Sequence, residues 1–277
     1  MLPIVLAAMS AVAFGTADFS GGKASRRADP IAVTVVSQLL SLPLLVVLVL
    51  VVPGTPTVAD IAWGLLAGLA GAAGIMLLYR ALAGGMMAVV APITAITAAV
   101  VPIIAGLFTS TFPGAAALTG AGLAVLAIAL VSLGEGGSRR SVPARLVGLS
   151  LAAGALFGVF FTLLGQAGEG AGMWPVAAVR ASSIALGLAL AVGSGVRLRL
   201  GPRVLGWAAL AGLLDSAANA LFLAAAARGH LSIVAAIAAL YPASTVLLAL
   251  AVDRERLRPL QVAGLGFAAG ALVLASI

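Results

Sequence analysis

The chain has 277 residues, 63% of them hydrophobic and 8% charged, with a formal charge of +7 and a mean hydropathy of +1.24. So apolar a composition cannot cover itself with a water-facing surface, which makes the bilayer its solvent; the positive charge, divided among many short segments, suits an anionic leaflet, and no nucleic-acid partner is expected. With no cysteine and a single histidine, His230, the chain excludes disulfides, thiolate catalysis and a multi-histidine metal centre, and neither a metal nor another cofactor is expected.

A hydrocarbon core of about 30 Å takes about 20 apolar residues per helix. Apolar runs set off by charged or Gly/Pro-rich breaks predict ten spans, beginning with 2–22, 31–52, 60–82, 86–108 and 114–134. The other five are 145–165, 175–195, 204–227, 230–251 and 258–277. The fold class is therefore an all-α polytopic membrane protein.

The first span carries no Lys or Arg through Gly22 and lacks the basic region of a secretory signal, so it reads as a retained helix. Asp18 lies near its inner end, before Lys23, where the carboxylate is expected to snorkel to the interface; a place on the substrate pathway is the alternative. Val52-Pro53-Gly54-Thr55-Pro56 marks the next loop but one, and Trp63 in the third span reads as a membrane-belt residue, as do Trp174 and Trp207. Gly64 and Gly68, like Gly266 and Gly270, are spaced for close approach of helix backbones. Pro102 in the fourth span and Tyr241-Pro242 in the ninth each remove a backbone hydrogen bond, and broken helices at depth are tolerated where they line a cavity or a neighbour satisfies the freed group.

Most of the acids belong to loops or span edges, including Asp29, Asp60, Glu135, Glu169, Asp253 and Glu255. Asp215 is different, because it falls near the middle of the eighth span, with Asn219 one turn further on the same face. Arg180 sits inside the outer end of the seventh span, within reach of Asn219 or Asp215. A charge at the centre of a span costs about 2.5–3.5 kcal/mol on insertion scales, so these groups are expected to pair or to face a cavity. Arg180, Asp215, Asn219, Tyr241 and Asp18 are the candidate pathway residues, with Pro102 and Pro242 as helix breaks. A buried pair that only locks two helices together is the bland reading of Arg180 and Asp215.

The basic residues alternate between gaps. Lys23, Arg26 and Arg27 occupy the first, Arg80 borders the third, and Arg139, Arg140 and Arg145 occupy the fifth. Arg197, Arg199 and Arg203 fill the seventh, Arg254, Arg256 and Arg258 the ninth, and only Arg228 borders an even gap. Odd loops are thus expected in the cytoplasm and both termini outside.

The halves repeat. Trp63 aligns with Trp207 (207 − 63 = 144), and the same shift places Gly68 on Gly212, Gly85 on Gly229 and Gly120 on Gly264. Near the start of each half the shift drifts, since Phe14-Gly15 matches Phe157-Gly158 and Pro30 matches Pro175. Each repeat holds an odd number of spans, so 3–133 and 147–277 are expected to insert in opposite orientations, with a substrate pathway between them near the midplane.

In the second repeat, Gly229, Ser232, Pro242, Glu255-Arg256, Gln261 and Gly264 stand in a pattern that resembles the drug/metabolite transporter superfamily, specifically its ten-helix members with two EamA-type repeats. Asp253-Arg254 occupy the place where that family usually has Leu-Gly, and the first repeat has Thr109-Ser110-Thr111 without Glu-Arg. Arg180 resembles an Arg many members carry in the seventh helix; Val35 replaces it in the first repeat. The resemblance implies a transporter of small molecules. The apolar lining favours a moderately apolar or zwitterionic cargo, such as an amino acid, moved outward across the plasma membrane by alternating access; a proton-coupled version would use Asp215 as the titrating group. A homo-oligomer is compatible with the same residues. The competing classes are an integral-membrane enzyme on lipid-linked substrates, which would need an acid cluster that no D-D or D-x-x-D string supplies, and a scaffold without transport. No phosphate-cradling G-x-x-x-x-G-K-[ST] string is present, and no enzymatic activity is expected.

Overall fold

Nine α-helices, a short 3-10 turn at Glu169–Ala171 and no strand are found among the described residues of the computed structural model, which are 2–84, 86–108, 143–228 and 241–253 with isolated positions between 119 and 270. The helices are α1 (Leu2–Ser25), α2 (Pro30–Leu40), α3 (Leu42–Val51), α4 (Val58–Ala83) and α5 (Met87–Phe108). The second half contributes α6 (Ala144–Leu164), α7 (Trp174–Gly193), α8 (Pro202–Ala226) and α9 (Pro242–Val252). Among the described residues, six segments are long and apolar enough to cross a bilayer: α1, α2 with α3, α4, α6, α7 and α8 up to Ala225. Apart from those isolated positions, the spans expected at 114–134 and 258–277 lie outside the described residues, as do His230 and the motif residues Gly229, Ser232, Glu255, Arg256 and Gln261.

The span expected over 31–52 is broken. Pro43 has no N–H to give the carbonyl one turn back, and α2 ends at Leu40. Ser41 caps the break, its N–H reaching Ser37 O at 3.2 Å and its hydroxyl reaching Gln38 O at 2.7 Å. Pro102, by contrast, lies inside a helix that runs without interruption from Met87 to Phe108, so the break expected there is absent. At the other proline, α9 begins at Pro242 and the carbonyl this residue cannot serve, Ala238 O, takes the Tyr241 N–H at 3.1 Å.

Polar residues at the helix starts close the backbone where it leaves the bilayer. Asp29 accepts the Ile31 N–H at 2.8 Å as the N-cap of α2. Thr57 and Asp60 form a reciprocal capping box at the start of α4, and the other carboxylate oxygen of Asp60 accepts the Gly168 N–H at 2.7 Å from the second half. Thr55 N–H to Gly170 O at 3.0 Å makes a second bond between those two loops.

The repeat is written in the packing. Helix starts recur at the sequence shift (174 − 30 = 144 and 202 − 58 = 144), and each half packs chiefly on the other. α1 lies along α8 and α6 along α4; α4 also packs on α7 and α8 on α2. Glycine makes these approaches possible. A Cβ at Gly68 would collide with the backbone of Val179 in α7, and one at the equivalent Gly212 would collide with the carbonyl of Ser37 in α2. Gly15 and Gly158 repeat the relation: the first abuts Tyr241 O and Ser244, the second Ala98 O and Val101, each pair 143 residues apart. Gly64 serves α4 against Pro175 and Ala178 in the same way, whereas Gly266 and Gly270 have no described atom near a Cβ.

Hydroxyls add directional bonds between the halves: Ser10 Oγ to Ala218 O at 2.8 Å and Thr245 Oγ1 to Gly15 O at 2.9 Å. At the end of the bundle that carries the odd-gap basic residues, Asp253 at the C-cap of α9 accepts from Lys23 Nζ and from Arg26 Nη1, the latter at 2.6 Å. Its carboxylate is only 6% exposed, so the first and second halves are tied there by an ion pair largely shielded from solvent.

Candidate substrate cavity

Between the halves the bundle forms a partly open cavity lined by α1, α2, α4, α6, α7, α8 and Tyr241. Its lining follows the repeat. Phe14 and Phe157 occupy equivalent positions (157 − 14 = 143), as do Asp18 and Phe161, while Gly71 pairs with Asp215 and Ile75 with Asn219 at the shift of 144. Both repeats therefore present the same register to the cavity, and they differ in what stands there. Repeat 1 offers Gly71 and Ile75 where repeat 2 offers an acid and an amide.

Arg180 and Asp215 meet, with Nη2 at 2.7 Å from Oδ2, and the same Nη2 donates to Ser216 Oγ at 2.7 Å. Arg180 is 3% exposed and Asp215 21%, so the cation is sealed between helices while the carboxylate also faces the cavity. Arg180 does not reach Asn219; Asn219 turns its amide onto its own helix and donates to Asp215 O at 2.8 Å. Two residues from α2 and α7 complete the polar wall: Ser183 Oγ donates to Gln38 Oε1.

Asp18 does not snorkel. Its residue is 9% exposed, it lines the cavity, and it has no hydrogen bond among the described residues. Tyr241 lines the cavity as well, and its hydroxyl has no hydrogen-bond partner among the described residues. The remaining wall is aromatic: Phe14 stands edge-on to Phe161 at 6.2 Å and to Tyr241 at 6.4 Å between centroids.

Of the sequence candidates, Arg180, Asp215, Asn219, Tyr241 and Asp18 all border this one cavity. Pro242 starts α9 beside it. Sequence reasoning missed Gln38, Ser183 and Ser216, although Ser183 lies one turn from Arg180 and Ser216 adjoins Asp215. Trp207 was read as a belt residue; its ring packs edge-on to Phe19 at 6.2 Å.

The profile of the EamA-like transporter family matches the chain twice, over residues 1–133 and 145–277. Among solved structures, one described only as the crystal structure of a protein superposes with a TM-score of 0.67 at 13% sequence identity, over 98% of this chain and 96% of that one. At that identity the likeness is one of fold. No curated protein matches the sequence.

Proposed function

The chain belongs to the EamA-like transporter family, within the drug/metabolite transporter superfamily, as a two-repeat membrane transporter, and from that premise we propose that it exports a small solute through the cavity between its repeats by alternating access. The observation that carries this reading is that equivalent positions of the two repeats line one cavity, with Asp18, Arg180 and Asp215 gathered in it. Charged groups at bilayer depth are costly, and a cavity between repeats is where a transporter uses them.

In this reading ten helices form two five-helix repeats of opposite orientation, in the plasma membrane, with both termini outside. The cargo belongs to the class of amino acids and related small compounds, amines without the carboxylate among them. A body of modest size with an apolar surface suits the phenylalanine wall, and a multiply charged anion would need more cations than Arg180.

Proton coupling falls differently from the expectation built on Asp215 alone. Asp215 has a fixed counter-charge in Arg180, whereas Asp18 has none among the described residues. Purified protein in proteoliposomes is expected to drive uptake or release of a solute when only a pH difference is imposed, and Arg180→Ala is expected to lower that flux at least tenfold. Wild-type protein that catalyses neither gradient-driven flux nor exchange across a broad solute panel would contradict the reading.

A further inference from the structure

Among the described residues the cavity's charges do not balance. Two carboxylates, Asp18 and Asp215, and one guanidinium, Arg180, line it there, and the ion pair among them is Arg180 with Asp215. The surplus is one negative charge at Asp18, in a residue 9% exposed and without a hydrogen bond among the described residues. A buried carboxylate is maintained only by a counter-charge, so this site calls for a cation or a proton. The titratable groups that face Asp18 electrostatically are Asp215 on α8, Tyr79 on α4 and Tyr241 ahead of α9. None of them supplies a positive charge.

The surroundings define the rest of the ligand. Phe14 is one turn before Asp18 on the same face of α1, and it holds Phe161 and Tyr241 edge-on around it. Aromatic faces attract an ammonium and accept an apolar body. The Tyr241 hydroxyl, 6% exposed as a residue and without a hydrogen-bond partner among the described residues, offers one further polar contact inside the same wall. A free carboxylate on the ligand would meet Asp18 and Asp215, with Arg180, the one cation among the described lining residues, already engaged by Asp215.

We propose that the cavity takes a monocationic amine with an aromatic or branched apolar body, its ammonium against Asp18, and that the amine and a proton compete for that carboxylate. This rests on the reading of the cavity as the pathway and narrows its cargo. Competition for one carboxylate makes the transporter an exchanger of one proton for one amine: the site is neutral when loaded with either, and an empty site keeps the uncompensated charge that opposes its reorientation.

The test compares three compounds with one phenyl body and different charge: phenethylamine, phenylalanine and phenylacetate. Calorimetric binding to the purified full chain is expected to be at least about tenfold tighter for phenethylamine than for the other two. Its affinity should fall as pH is lowered, since protonation of Asp18 removes the charge it binds, while the ligand itself stays protonated at pH below about 8.5. Asp18→Asn is expected to cost the amine tenfold or more and to flatten the pH dependence, and Asp18→Glu to restore both in part. Equal or tighter binding of phenylalanine or phenylacetate overturns the inference, as does amine binding that Asp18→Asn leaves intact. Should Asp18→Asn not fold, the wild-type protein decides: amine affinity that is flat with pH overturns the inference, and affinity that falls with acid supports it. Flux separates the two readings. Asp18-dependent amine binding without transport supports the site and overturns the pathway, whereas phenylalanine or phenylacetate flux that survives Asp18→Asn leaves the pathway standing and overturns the amine site.

Discussion

Asp215→Asn should lower the thermal stability of the purified protein more than Arg180→Ala does, and the double substitution Arg180→Ala with Asp215→Ala should cost less than the sum of its singles. Arg180 is 3% exposed and its charge is met at 2.7 Å by Asp215, with Ser216 as its other acceptor. Replacing the carboxylate by an amide keeps the shape and a hydrogen bond but leaves the guanidinium buried without a counter-charge, a loss of about 3–5 kcal/mol for a broken buried pair. The reverse change leaves Asp215, which is 21% exposed and faces the cavity, where water or a cation can reach it, so its cost is smaller. Removing both partners removes the unpaired charge altogether, and the coupling appears as non-additivity. Strictly additive losses would show that the two groups do not sustain one another.

Gly212→Ala should be as damaging as a core overpacking substitution, although it adds one methyl group. The Cβ would fall inside the carbonyl of Ser37, and because that atom belongs to the backbone of α2 no side-chain rotation relieves it. α2 and α8 must move apart, which also disturbs Gln38 and Asp215 on the facing sides of the cavity. A loss of about 1–3 kcal/mol or more is expected, measured as thermal unfolding in detergent. Gly206→Ala, on the same helix with nothing within 4 Å of the new Cβ, is the control and should be neutral or slightly stabilising. Equal behaviour of the two variants would mean that α2 and α8 do not meet backbone to backbone at Gly212 and Ser37.

The repeat was legible because it is carried by residues with few substitutes: Trp63 and Trp207 at helix register, and glycines whose missing Cβ admits another backbone. Arg180 and Asp215 were legible because an ionised group inside an apolar run is expensive enough to need a reason. Ser183, Ser216 and Gln38 were not, since such side chains enter a helix at little cost and satisfy themselves in many ways. For Asp18 the sequence left two readings open, because Lys23 nearby suggests a shared interface, whereas α1 continues to Ser25 and packs its acid inward. Asp253 read as a loop residue, and only the packing of α9 on α1 brings its carboxylate to Lys23 and Arg26. The break at Ser41 was available in Pro43, but proline in a membrane helix predicts a kink and an intact helix about equally well, as the uninterrupted course of α5 through Pro102 illustrates.

Because the chain has no cysteine, a single Ile75→Cys variant carries its only thiol in the wall of the cavity, on α4 and at the position equivalent to Asn219. In membrane vesicles of known orientation, a membrane-impermeant maleimide should label this thiol from either side, and saturating solute or a change of pH should slow labelling from one side while speeding it from the other. Labelling from one side only under every condition, or from neither, would contradict a pathway that opens alternately across the membrane.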